Sequence, residues 1–198
     1  GYDQLRFSGT FDGQGHSIAN LNCPYVRYGI GMFGQIMGAT IRRVTLINPR
    51  VEYGWLSVGT LVGQQVEGTV EACSAQGGSV LGGVFVGGLI GRCCNGTVSR
   101  CYSTCTVVGR GAEEDIGGLL GKGERCNVNN CYAGGNVSGL RFVGGLIGRT
   151  TNAGSVTQCY AFGRVTCPQD PWIPPDAGGL IGIVDRTLVT GCFWDTLT

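Results

Sequence analysis

The chain has 198 residues and carries a net charge of +1, with only 14% of its residues charged. That balance offers no basic stripe for nucleic acid and no acidic tail. Glycine is 38 of 198 without a Gly-X-Y period and with only 6 prolines, which excludes collagen, while the many aliphatic residues exclude a disordered glycine-rich tract.

In chain order, Phe11 to Leu21 reads as a short first coil (9–29), with Ile18 and Leu21 at the positions later taken by Ile41 and Val44. A longer unit then recurs. Ile30 to Gly34 reads Ile-Gly-Met-Phe-Gly, Gly59 to Gly63 Gly-Thr-Leu-Val-Gly, and Gly117 to Gly121 Gly-Gly-Leu-Leu-Gly. Gly-Gly-Leu-Ile-Gly itself opens the units at Gly87, Gly144 and Gly178. Starts near 30, 59, 87, 117, 144 and 178 give a period in the range of repeat architectures.

Aligned on Leu61, Leu89, Leu119, Leu146 and Leu180 (Met32 in the first), the units share columns. Val70, Val98, Val128, Val156 and Val189 form one, and Cys73, Cys101, Cys131, Cys159 and Cys192 the next, with one extra residue in the fifth unit. Tyr102, Tyr132, Tyr160 and Phe193 follow directly. These are short Val-, Ile- and Thr-rich runs bounded by Gly, Asn and Ser, which read as strands and turns. No window carries a helical apolar face, and the apolar runs are too short for a membrane-crossing helix. A strand this short is buried only when stacked on its own repeat. The expected fold is therefore all-β: one β-solenoid domain over 1–198, about seven coils, each ~4.8 Å above the last. Glycine is expected at the corners, where positive φ and close backbone approach arise.

Eleven cysteines favour an oxidising compartment, and the sequons at Asn95 and Asn136 fit an extracellular or cell-surface address. The start at Gly1 reads as a segment of a longer product. In-register cysteines one coil apart place Cβ atoms farther apart than the ~3.8 Å of a disulfide, so the cysteine column reads as stacked thiols. Disulfide candidates are the off-column cysteines. Cys93 or Cys94 to Cys126 comes first, and Cys23, Cys105 and Cys167 have no partner by offset. With no C-x-x-C and one distant histidine, His16, no metal or other cofactor is expected.

Gly29 to Gly34 matches G-x-G-x-x-G, but no helix follows, so it reads as a corner. Gly117 to Lys122 lacks the Ser/Thr and glycine spacing of a phosphate loop. Glu113, Glu114 and Asp115, and Asp170 with Asp176, lack calcium-loop spacing and read as solvated loop charge. No catalytic constellation emerges, and no enzyme activity is expected. The tyrosine column reads either as stacking that holds register or as an exposed stripe for sugar.

Gly-Thr-Phe-Asp-Gly-Gln-Gly-His-Ser-Ile at 9–18, the Gly-Gly-Leu-Ile-Gly units, the Cys-Tyr-Ala/Ser that follows a coil later, and the closing Cys192-Phe193-Trp194-Asp195-Thr196 together resemble GLUG-repeat proteins. The resemblance implies a right-handed β-helix from a large secreted or surface-anchored protein, without a catalytic centre of its own. The extra cysteines at 23, 93, 94, 105, 126 and 167 depart from the usual pattern. The functional expectation is a non-enzymatic structural subunit of a surface fibre, sheath or envelope layer that self-assembles with disulfide support. The rival is an adhesin or carbohydrate-binding stalk acting through the aromatic stripe or the 168–177 loop. Expected partners are other copies of the chain, then glycans or host and cell-surface receptors, with no nucleic acid and no membrane insertion.

Overall fold

In the computed structural model the described residues are 6–23, 28–111, 114–168 and 176–195. Glu113, Asp170, Thr196 and most of the 168–177 loop lie outside them. Among the described residues there is no helix, and every strand pairing is parallel. The chain winds through four sheets, of six, seven, seven and ten strands.

Face one stacks Phe33–Met37, Val62–Val66, Ile90–Cys94, Leu120–Glu124, Ile147–Thr151 and Ile181–Val184. Face two runs from Thr10–Asp12 through Thr69–Glu71 to Leu188–Thr190, and face three from Ser17–Ala19 through Tyr102–Ser103 to Phe193–Trp194. Face four contains the long strands Arg50–Val58 and Ser79–Gly87, each replaced in later coils by two short strands. Seven strands stack on faces two and three, yet a turn closes only when all four faces are present. The result is a parallel β-solenoid of about six turns, and the last strands open a further one.

The registers explain the sequence columns. Val70 lies on Val98, Val98 on Val128, and Val128 on Val156. These valines and Leu61, Leu89, Leu119 and Leu146 are fully buried, as is most of the cysteine column; Leu180 is 8% exposed and Val189 36%. The gradient is geometric. Each coil is covered by the one above it, and the last is covered on one side only.

Glycine supplies positive φ at Gly15, Gly29, Gly38, Gly68, Gly77, Gly78 and Gly191, but it is not the rule at the cysteine corner. Directly before the cysteine column, positive φ falls on Arg43, Ala72, Arg100, Asn130 and Gln158, with glycine only at Gly191. In the Gly-Gly-Leu-Ile-Gly units the glycines answer a different need. A Cβ on Gly118 would overlap the Gly145 carbonyl, and one on Gly145 the Gly179 carbonyl of the next coil. Close approach of backbones between coils therefore fixes glycine there. The extra residue of the fifth unit is absorbed at a corner, where Asn152 and Ala153 both take positive φ.

Candidate functional surfaces

The cysteine column sits where the chain turns from face two to face three. The Cys101 thiol donates to the Val70 carbonyl of the previous coil (3.6 Å) and to the Ser99 carbonyl (3.2 Å). Its sulfur accepts the Cys73 backbone N–H at 3.4 Å, and the Cys131 sulfur accepts that of Cys101 at the same distance. Cys159 and Cys192 repeat the pattern, at 3.3 Å. The column thus satisfies a buried backbone donor at each corner, a role valine cannot fill. These five are free thiols. Burial, then the neighbouring sulfurs, push the Cys101 thiol well up, which keeps it neutral.

Cys93 and Cys126 are joined by a disulfide with a Cα–Cα distance of 6.1 Å. It ties face one of one coil to the next corner. Gly123, in register with Cys93, leaves room for it: a Cβ there would lie 3.4 Å from Cys126 Cβ. Cys94 points outward beside Glu124, at 3.9 Å. Cys105 is buried and its thiol is raised to about 11 by that burial. Cys23 packs partly buried against the core, and Cys167 donates to the Leu140 carbonyl at 3.3 Å.

Tyr102, Tyr132, Tyr160 and Phe193 stack ring on ring, with centroids 4.6, 5.0 and 5.3 Å apart and interplanar angles of 5°, 12° and 6°. Phe162 joins Tyr132 and Tyr160 at 6.2 and 6.0 Å. The ring faces are occupied by one another, so an incoming molecule meets ring edges. Asn95 and Asn136 are both exposed. Asn95 Oδ1 accepts from Arg125 at 2.6 Å, and Asn136 Oδ1 from the Arg164 backbone at 3.2 Å.

One reading of the loops needs correction. Glu114 and Asp115 are not solvated charge; both are fully buried. The Glu114 carboxylate accepts the backbone N–H of Leu140 at 2.6 Å and that of Gly111. Asp115 holds Arg149 through two 2.9 Å contacts. Desolvation still pushes both carboxyls above their ordinary values. The loop folds back because these acids find backbone donors and a guanidinium that spacing alone does not reveal. Asp176 is partly buried, and His16 is exposed on its turn. Gly29 to Gly34 and Gly117 to Lys122 each run across a corner into a face-one strand.

A further column went unread in the sequence. Three residues after each anchor, Gln35, Gln64, Arg92, Lys122 and Arg149 stand in register on the outer side of face one. Gln35 donates to Gln64 at 3.3 Å, and Arg92 pairs with Glu124 at 3.0 Å. Arg92 and Lys122 lie over the Phe85 ring at 5.4 and 5.1 Å. Arg149 and Arg141 lie over the Phe142 ring at 4.4 and 4.6 Å. The constant offset was the available signal, but an alignment built on apolar positions passes over a polar one.

Among the described residues, no three His, Cys, Asp or Glu side chains gather as a metal site. One open hollow, roughly 530 Å³, lies at the last coil between Leu180, Ile181, Val184, Thr187, Val189 and Trp194.

The GLUG motif model matches residues 143–166, which make one complete circuit of the four faces. The chain carries the GLUG motif within a β-helix. Over 179 residues the chain is 29% identical to Halomucin of Haloquadratum walsbyi; the match takes in 72% of the chain and 2% of Halomucin. Its fold also matches a solved chain from Bacteroides ovatus described as a candidate immunoglobulin A1 protease. That match has a TM-score of 0.78 and 22% identity, over 93% of this chain and 59% of the other. At that identity the likeness extends to the fold alone. The chain therefore spans a small part of Halomucin and somewhat over half of the solved relative.

Proposed function

We propose that this β-helix is a non-enzymatic, extracellular structural module, a stiff rod in a cell-surface fibre, sheath or envelope layer. The observation that carries the reading is the in-register stacking of whole coils, with one register shift between Val80 and Gly82. Its side-chain columns serve that stacking: thiols satisfy backbone donors, aromatic rings cover one another, and a disulfide staples two coils. Resemblance to a segment of Halomucin supports the surface address, as do the cysteine content and the exposed sequons. The mutual stacking of the tyrosine rings favours a structural over a sugar-binding role for that column.

Assembly through the solenoid ends is part of the proposal. Leu188, Phe193 and Trp194 are 61%, 61% and 53% exposed at the last coil, on strands paired on one side. Such an edge accepts further parallel strands, from the same polypeptide or from another copy. A head-to-tail contact between copies would be heterologous and gives an open filament when its rotation does not close. Negative-stain electron microscopy with and without reductant tests this. Filaments or sheets that loosen under reductant are expected; monodisperse short rods in both conditions would overturn self-assembly.

A further inference from the structure

The tyrosine column is turned in on itself, whereas the outer side of face one is not. There Gln35, Gln64, Arg92, Lys122 and Arg149 form a line parallel to the solenoid axis, one residue per coil, about 4.8 Å apart. Like charges stacked directly opposite one another destabilise a sheet. Two of the three cations have a carboxylate: Glu124 for Arg92 and the buried Asp115 for Arg149. Among the described residues Lys122, between them, has none within ion-pair distance, and neither has the adjacent Arg141.

The aromatic support is the second observation. Phe85 and Phe142 hold φ of 54° and 49°, a region a bulky side chain enters at a cost and glycine enters freely. Each ring carries two cations. Rings kept at strained positions hold these cations in line and restrict their motion, which lowers the ordering cost of binding an anion.

We propose that this face binds an acidic polysaccharide lying along the solenoid axis, with its carboxylate or sulfate groups on Arg92, Lys122 and Arg149. The two glutamines that continue the line suit the hydroxyl groups of the same chain. Charge complementarity sets the partner class. Three cations about one inter-strand spacing apart along a single line match a linear polymer with an anionic group on successive sugars. Duplex nucleic acid carries denser charge along its axis and is met by broader basic surfaces, and single strands are bound with aromatic platforms on which bases stack. This inference goes beyond the structural role, and it stands whether or not the rods assemble.

The test is binding of the full chain to polygalacturonate and to dextran sulfate, with neutral dextran and single-stranded DNA as comparators, at low and moderate salt. Binding to at least one acidic polysaccharide, weakened by salt and absent with dextran, is expected; which polymer binds separates carboxylate from sulfate recognition. Lys122→Glu places an anion between two arginines and should lower the affinity at least about tenfold. Arg164→Glu, exposed on another face, should leave it unchanged. Lys122→Gln, with a smaller loss, is the readout if the Glu variant does not keep the wild-type melting temperature. No binding to either polysaccharide, equal losses in the Lys122 and Arg164 variants, or tighter binding to DNA than to both would overturn the proposal.

Discussion

The residues that turn the corners are the least expected part of the molecule. An L-residue in the left-handed region costs roughly 1–2 kcal/mol, and Ala72, exposed at φ 50°, bears that cost. Ala72→Gly should therefore be neutral or stabilising by up to about 1 kcal/mol, despite the added freedom of the unfolded chain, as read from the urea midpoint. Gly118→Ala should do the opposite, since its Cβ would overlap the Gly145 carbonyl; a loss of about 3 kcal/mol is expected from the same measurement. Of the two reasons expected for glycine, close backbone approach governs the repeat glycines, and positive φ is met by glycine at other corners. Ala72 and Gln158 carry no sequence mark of their left-handed backbone.

At the scale of elements, columns act where single strands of two or three residues could not. The Cys93–Cys126 disulfide closes a loop of 33 residues, for which chain entropy gives about 3–4 kcal/mol. Cys126→Ser, or reduction, should lower stability by about that amount in a urea titration. Tyr132 shares its two ring faces with Tyr102 and Tyr160, and each aromatic pair contributes about 0.5–1.5 kcal/mol beyond burial. Tyr132→Ala should then cost at least about 2 kcal/mol, more than Phe193→Ala, whose ring covers one neighbour.

The loop that buries Glu114 gives a pH signature. Its carboxyl is raised above the ordinary value by burial, so folding favours the protonated form. That contribution is full below the unfolded value of about 4.3 and is lost as pH rises through the folded pKa. Glu114→Gln should flatten the decline in stability between about pH 4.3 and neutrality relative to the wild type, measured by urea midpoints across that range. The columns themselves were legible from a fixed offset to the anchor leucine. The Glu114 and Asp115 contacts were not, because Leu140 and Arg149 belong to the following coil and no repeat offset links them to the loop.

At the scale of the whole molecule, about six stacked turns at ~4.8 Å make a rod near 30 Å long, each coil contacting only its neighbours. Stability in such an object is shared along the axis, and the weak points are its ends. Solenoid architecture was readable because a period near 28 residues recurs in composition and in spacing. The number of closed turns was less readable, since the last coil contributes strands to two faces without completing a circuit of all four.

The most direct test of a rod that builds a surface structure is cryo-electron microscopy of the assembled protein, read for its layer lines. Coaxial stacking of β-solenoids predicts filaments one solenoid wide with a meridional layer line at about 4.8 Å, parallel to the filament axis. Dispersed single rods, or filaments in which that spacing runs across the axis, would contradict end-to-end assembly.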